Sequence, residues 1–514
     1  MTATAALPID EALPELLAAL RARRQAVLQA PPGAGKTTRV PLALLQSGLC
    51  PGRIVMLEPR RIAARAAAER MAETLGETVG RTVGYRIRGE SNVSAATRIE
   101  VVTEGILTRM VQTDPELSGT SALIFDEFHE RSLQADLGLA LTLDLRAALR
   151  PDLLLVVMSA TLDAAPVAAL MGDAPVVTAA GTAFPVETRW LPRPLPPESR
   201  WESEALRLVL QAADECAGGI LAFLPGEGEI RRMAAALDGR LPAGCAVQPL
   251  YGALPLAAQR AVLAPLLQGR KVVLATAIAE TALTIPDIRV VVDCGRARRA
   301  RFDPATGMGR LVTERVSRAE ADQRRGRAGR VAPGVCYRLW AKAEQGALPA
   351  YPPPEIAVAD LTGLALELAA WGDSDLPFLT SPPAPALAEA RALLADLGAL
   401  DRLGVTAHGR AMAALPLHPR LAHMLLAAGR QAAPLAALLS DRDPLRGAPP
   451  DLTSRLLALS DPRAYAARHP WPADRPALDR IGAETARLSR LVPEGPAMAP
   501  GAMASIAYPD RIGL

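Results

Sequence analysis

Lysine is nearly missing from this chain. Lys36, Lys271 and Lys342 are its three lysines, and the other 54 of its 57 basic residues are arginine. So strong a bias reflects GC-rich coding, which empties arginine abundance of functional meaning and makes a lysine kept in a glycine-rich loop informative. Aromatic residues are scarce as well, at 3% of 514 residues, which argues against binding dominated by ring stacking. The cysteines are few and scattered (Cys50, Cys216, Cys245, Cys294, Cys336). Odd in number and without a CxxC pair, they speak against a disulfide framework or a zinc site and fit a reducing cytoplasm. No sign of charge dominates: 57 basic against 54 acidic residues leave a net +3. That excludes a polybasic tail but not a local basic groove. No uncharged apolar run nears the ~18 residues of a membrane span. The N-terminal MTATAALPIDEALPELLAALRARRQ places acidic residues before its basic cluster, the reverse of a secretory signal.

What is present is apolar residue, half of the sequence, enough for several cores in about three or four domains. Short β-branched runs at 26–29, 53–58, 99–103, 122–126 and 153–159 alternate with helical stretches. The Pro-rich LPRPLPPESR (191–200) interrupts the alternation, which resumes at 219–224, 271–275 and 289–293. Strands separated by helices imply βαβ units and parallel sheets. The expectation is two α/β domains, 1–195 and 196–345. A second break, LPAYPPPEI (348–356), leads into a mainly helical region over 346–514 with a small wing near RLGVTAHG.

Residues 30–38 read APPGAGKTT. Gly35, Lys36 and Thr37 match the end of the phosphate-loop pattern G-x-x-x-x-G-K-[ST], with Ala30 at the first glycine position. A strand-like AVLQA precedes it and a helix follows, so backbone N–H groups of Gly33 to Thr38 can cradle phosphates. Lys36 would neutralise the β- and γ-phosphates and Thr37 would hold Mg²⁺. Such a loop needs an acidic partner at the end of a neighbouring strand, and ALIFDEFHER supplies Asp126 for the metal and Glu127 to activate water. A glycine-rich turn, or an acidic helix cap, would explain either motif alone but not the pair. His129 is a structural histidine or a link across the cleft.

DEFHER following APPGAGKTT resembles the superfamily 2 helicases of the DEAH/RHA group. LEPRRIAAR (57–65), TEGILTR (103–109), SAT (159–161), ILAFLPGEGEI (220–230), ATAIAETALTI (275–285) and QRRGRAGR (323–330) resemble that group's motifs Ia, Ib, III, IV, V and VI, in order. PPGAGKTT, LEPRRIAAR and LPLHPRLAHML (415–425) are most similar to the bacterial HrpB-type helicases. Phe128 stands where the name-giving motif has Ala, and LYGALP (250–255) lacks a hydroxyl that many relatives carry.

The resemblance implies two tandem RecA-like lobes with parallel sheets, followed by a winged-helix and helical-bundle region. The chain stops at AYPDRIGL, short of the further C-terminal domain of HrpB-type relatives. ATP and Mg²⁺ are the implied cofactors, with Gly33, Gly35, Lys36, Thr37, Thr38 and Asp126 around the nucleotide and Arg70 against adenine. Glu127, Gln323, Arg327 and Arg330 would be catalytic, the two arginines as fingers from the second lobe. Arg60, Arg61, Thr103 and Thr281 would hold a nucleic-acid backbone, and His129, Ser159 and Thr161 would couple the sites. Glu104 and Arg109 would form a local ion pair, and the segment 296–319 a strand-separating hairpin around DPATG. The expected activity is ATP-driven movement on single-stranded nucleic acid, RNA favoured over DNA, by a cytoplasmic monomer. A nucleic-acid clamp without unwinding, a DNA helicase and a small-molecule NTPase are the rivals.

Overall fold

The computed structural model describes residues 7–160, 164–181, 184–196, 200–266, 268–280, 285–303, 308–372 and 375–511, apart from the side chain of Leu256. They form two compact units, one of Met1–Ala359 with Leu376–Ser381, the other of Asp360–Asp375 with Pro382–Leu514.

The first unit holds two sheets. The first contains β1 (Gln25–Gln29), β2 (Arg53–Leu57), β3 (Val83–Ile87), β4 (Glu90–Asn92), β5 (Ile99–Val102), β6 (Thr120–Phe125), β7 (Leu154–Ser159) and β8 (Val176–Thr178). Their order across the sheet is β4-β3-β5-β2-β6-β7-β1-β8, parallel except for β4 against β3. Central strands such as LLVVMS are buried on both faces, which is why they read as continuous apolar runs. Strand β3 was not expected: Gly84 interrupts its apolar pattern, and a Cβ there would stand 2.5 Å from the Asn92 carbonyl oxygen of β4.

The second sheet is built from β9 (Val186–Leu191), β10 (Gly219–Phe223), β11 (Cys245–Leu250), β12 (Arg270–Ala275) and β13 (Ile288–Asp293). After the hairpin β14 (Arg296–Asp303) and β15 (Met308–Arg315), β16 (Gly334–Ala341) completes it. The order is β11-β12-β10-β13-β16-β9, and every pairing is parallel. Edge strand β11 carries Pro249, which an edge tolerates because one side of it needs no partner. Strand β9 corrects the expected lobe boundary at 195. Residues 186–191 pair with β16, not with the first sheet, and Phe184 N donates to Gly329 O at 2.9 Å. The Pro-rich break follows the first strand of the second lobe rather than preceding it.

The second unit is helical, as expected, and the wing is present as β17 (Leu400–Asp401) paired with β18 (Gly404–Val405). Thr406 Oγ1 accepts from Gly409 N and caps the next helix. No helix among the described residues is long and apolar enough to cross a membrane.

Candidate active site

Strands β2, β6, β7 and β1 are neighbours in the first sheet, so the loops leaving their carboxyl ends converge on one edge, the usual ligand edge of a parallel sheet. From β1 the chain runs through the phosphate loop into the helix Lys36–Gln46. Gly33 and Gly35 have φ of +87° and +96°, a region that side chains disfavour. A Cβ at Gly35 would also lie 2.5 Å from Leu7 Cδ1, whereas one at Gly33 would meet nothing within 4 Å. Thr38 N and Arg39 N donate to Gly35 O at 3.2 and 2.9 Å, and the N–H groups of Lys36 and Thr37, at the very start of the helix, suit a phosphate. Ala30 is tolerated at the first glycine position because its N–H donates to Ser159 O at 3.0 Å, continuing the β1–β7 ladder with no left-handed backbone.

Across the edge, the end of β6 delivers Asp126 and Glu127. Asp126 Oδ2 accepts from Thr37 Oγ1 at 2.5 Å and Oδ1 accepts from Glu127 N at 2.8 Å. Lys36 Nζ lies 2.8 Å from Glu127 Oε1 and 3.9 Å from Asp126 Oδ1, all three side chains buried. Burial pushes the Asp126 carboxyl up to about 6 against the pull of Lys36. Burial also opposes ionisation of Glu127, but Lys36, with Arg327 adding to its pull, outweighs it and holds this carboxyl below its ordinary value. Glu127 is thus kept ionised, and it makes the shorter contact with the ammonium. The Asp126 carboxylate and the Thr37 hydroxyl bring together oxygen donors of the kind Mg²⁺ prefers, with the Lys36 ammonium beside them.

Glu127 has φ +50° and Arg131 φ +49°. They bracket the short turn Phe128–Glu130, and left-handed backbone at a non-glycine residue costs on the order of 1 kcal/mol or more. Inside it, His129 Nδ1 accepts from Ala160 N at 3.3 Å and lies 3.4 Å from Glu127 Oε2. An accepting Nδ1 puts the ring proton on Nε2, which is buried without a partner among the described residues. Burial lowers the His129 pKa against the pull of Glu127, so the ring is a neutral contact between DEFH and SAT. The contact is with the Ala160 amide. Ser159 ends β7 beside it, and Thr161 lies outside the described residues.

In the second lobe, Ser317 and Glu320 form a capping box that starts the helix Arg318–Gly326, followed by the turn Arg327–Gly329. The two glycines end the helix where motif VI needs to turn. Gln323 and Arg327 are buried. Arg327 Nε donates to Glu280 O at 2.8 Å. Burial lowers the Arg330 pKa to about 10, and burial with the facing Arg330 lowers that of Arg327. A guanidinium is basic enough to stay charged at neutral pH regardless. Glu127 raises both values, so the second-lobe arginines lie within electrostatic reach of the first-lobe carboxylate.

The remaining expected residues are placed differently. Arg60 contacts Glu130 and two second-lobe carbonyls. Arg61 is exposed at the start of the helix Arg61–Thr74, and Thr103 precedes the helix Glu104–Thr113 without a side-chain capping bond. Thr281 lies outside the described residues. Thr38 Oγ1 contacts Gly35 O at 3.4 Å. Arg70 pairs with Glu73 at 2.9 Å, both well exposed. The expected Glu104–Arg109 ion pair is replaced by a bond from the Ser132 hydroxyl to Glu104, because helix entry turns that carboxylate inward, and burial pushes it up to about 7.

Four buried groups escaped the sequence reading. Glu58, at the end of β2, has an Oε1 without a partner among the described residues, and its pKa is raised by burial and by Asp126, Glu127 and Glu130. Arg324 donates from Nε to Glu280 at 2.6 Å and from a terminal nitrogen to Asp293 at 2.7 Å, and lies 4.9 Å from the centre of the Phe223 ring. Glu58, Glu280 and Arg324 stand inside motifs already quoted, and Asp293 ends an apolar strand like Asp126 does. A charge at the carboxyl end of a buried strand was the available signal.

Comparison with known proteins agrees with this geometry. A DEAD/DEAH box helicase model matches residues 10–170 and a helicase conserved C-terminal domain model residues 205–332. ATP-dependent RNA helicase HrpB of Escherichia coli is 50% identical over 444 residues, covering 85% of this chain and 55% of that protein. ATP-dependent RNA helicase HrpA of the same organism is 36% identical over 458 residues, 85% of this chain and 35% of its own. The crystal structure of E. coli DEAH/RHA helicase HrpB superposes with a TM-score of 0.87 at 45% identity, covering 98% of this chain and 63% of that one. The chain therefore spans little more than half the length of HrpB.

Proposed function

Because the chain belongs to the DEAD/DEAH-box helicases and resembles their HrpB-type members, we propose that it hydrolyses ATP to move along single-stranded nucleic acid, RNA in preference to DNA, and to open duplexes. The observation that carries this reading is the buried cluster in which Lys36 Nζ lies 2.8 Å from Glu127 Oε1 and Thr37 Oγ1 donates to Asp126 Oδ2 at 2.5 Å. Hydrolysis of a phosphoanhydride asks for charge stabilisation and a positioned water, not for covalent chemistry. Lys36 and the loop amides would bind the β- and γ-phosphates, and Thr37 with Asp126 would hold Mg²⁺, which supplies Lewis-acid charge neutralisation when bound. Glu127 takes the proton of the attacking water. Gln323 orients that water, while Arg327 and Arg330 offset charge on the γ-phosphoryl oxygens from the opposite lobe. Arg70 would lie against adenine on leaving its exposed pairing with Glu73.

Arg61, Thr103 and Thr281 are the proposed backbone contacts. The hairpin β14–β15 is the proposed strand separator, with Met308 and Leu311 exposed on it. The names of the relatives favour RNA, and a cytoplasmic monomer completes the reading. The test is ATP turnover with and without matched RNA and DNA strands, beside strand displacement on tailed duplexes. Lys36→Ala and Glu127→Gln should each lower turnover by at least ~100-fold with the fold intact. Arg327→Ala should lower it by on the order of 10³-fold. Turnover stimulated by RNA without displacement would make the protein a clamp, and turnover indifferent to both strands would make it a small-molecule NTPase.

A further inference from the structure

Motif Ia was expected to offer both of its arginines to a nucleic-acid backbone, but the two are placed in unlike surroundings. Arg61 is exposed, whereas Arg60 is half-buried and fully engaged. One terminal nitrogen of Arg60 lies 3.0 Å from Glu130 Oε1. The other donates to Ala277 O at 3.3 Å and to Ile278 O at 3.1 Å. Glu130 closes the turn that begins at Glu127, and Ala277–Ala279 is the turn that follows β12 in the second lobe. Its next residue, Glu280, accepts Arg327 Nε on its carbonyl and Arg324 on its carboxylate. The neighbouring Ile62 packs against the second-lobe core around Leu221, Val273 and Val291. A second pair between the lobes, Arg260–Glu69, is about half exposed on both sides and so contributes little. Arg60 is surrounded by carboxylates of both lobes: Glu58, Glu127 and Glu130 from the first, Glu280 from the second.

We propose that Arg60 is a positioning residue for hydrolysis: the tie that sets the catalytic carboxylate of the first lobe against the arginines of the second, and not a ligand of the nucleic-acid backbone. The path is short and continuous. It runs from Glu127 through its strained turn to Glu130, across the Arg60 fork to the Ala277 and Ile278 carbonyls, and through Glu280 to Arg327. A guanidinium suits this place because its planar fork can serve a carboxylate on one nitrogen and two carbonyls on the other, which a lysine ammonium cannot do in fixed geometry. The proposal rests on the reading of this site as an ATPase.

The test uses the full chain with Arg60→Ala, Arg60→Lys and Glu130→Gln. Three quantities are read: ATP turnover without nucleic acid, ATP affinity, and the salt dependence of binding to fluorescein-labelled oligouridylate. A tie predicts a fall of about 10- to 100-fold in nucleic-acid-free kcat for Arg60→Ala, the scale of a lost charged hydrogen bond. Arg60→Lys should rescue little of it. ATP affinity should stay unchanged, as should the slope of log K against log salt, while Glu130→Gln reproduces the loss of kcat and is not additive with Arg60→Ala. A backbone ligand predicts the opposite. Nucleic-acid-free kcat would hold, and the slope would shrink by about 0.7 for the one lost phosphate contact on a single strand. A shrunken slope, or an unchanged kcat, overturns the tie. Glu130→Gln keeps the shape of its side chain and tests the same contact should Arg60→Ala fail to fold. Absence of turnover in the unsubstituted protein would instead sink the ATPase reading, with no bearing on which contacts Arg60 makes.

Discussion

A single amide joins the two halves of the proposed coupling path at the scale of one residue. Ala160 N donates to His129 Nδ1, so SAT touches DEFH through backbone, and no choice of side chain at 160 would have revealed it. His129→Ala leaves that half-buried N–H without this acceptor, a cost of about 1–3 kcal/mol. If the contact links hydrolysis to lobe movement, the loss falls on coupling, a factor of about 5–150. Strand displacement per ATP consumed should drop on that scale in His129→Ala, while nucleic-acid-free turnover changes far less. An equal fall in both would reduce His129 to a packing role. The same scale shows what a sequence can disclose. Lys36, Thr37, Asp126 and Glu127 were legible because each ends or begins an element with a recognisable pattern, and the structure brings them within bonding distance. Glu58 and Arg324 were not, since their importance lies in what burial does to a charge, and burial is set by strands distant in sequence.

Elements follow the same division. Strands buried on both faces announced themselves as apolar runs, and β7 and β10 match their expected limits closely. Half-exposed strands did not: β11 shows a mixed burial pattern, and the residues of β9 carry no strand signal and fall on the first-lobe side of a boundary drawn at the Pro-rich stretch. In the helical unit, the start of the helix Thr362–Trp371 depends on one side chain. Asp360 Oδ1 accepts from Thr362 N at 2.7 Å and from Thr362 Oγ1 at 2.5 Å, and Oδ2 lies 3.2 Å from His418 Nε2. Burial works against the charge, but these bonds prevail and hold the carboxyl at about 2. A carboxyl depressed in the folded state stabilises it fully above the unfolded value, near 3.8, and that contribution drains away as pH falls toward 2. The urea midpoint of this unit, followed by circular dichroism, should therefore fall between about pH 4 and pH 2 more steeply in the natural chain than in Asp360→Asn. Parallel curves would show that Asp360 gains nothing from its partners.

For the chain as a whole, the question is how a nearly neutral molecule with few aromatic rings would grip a strand. A net +3 over 514 residues gives no general field, so attraction has to come from a local row of arginines and hydroxyls that meets phosphates one by one. Stacking would be indifferent to salt, whereas each phosphate neutralised on a single strand contributes about −0.7 to the slope of log K against log salt. If each of the three proposed contacts neutralised one phosphate, affinity for oligouridylate should fall on the order of 20-fold between 50 and 200 mM salt. Turnover without nucleic acid should be nearly flat over the same range, because Lys36, Asp126 and Glu127 are shielded from solvent and a buried pair is screened far less than an exposed one. The strand-stimulated part of the rate should then disappear with salt while the basal part remains. A flat response of both would mean that the strand is held by bases and not by its backbone. A steep loss of the basal rate would mean that the nucleotide edge is open to the solvent ions that its burial should exclude.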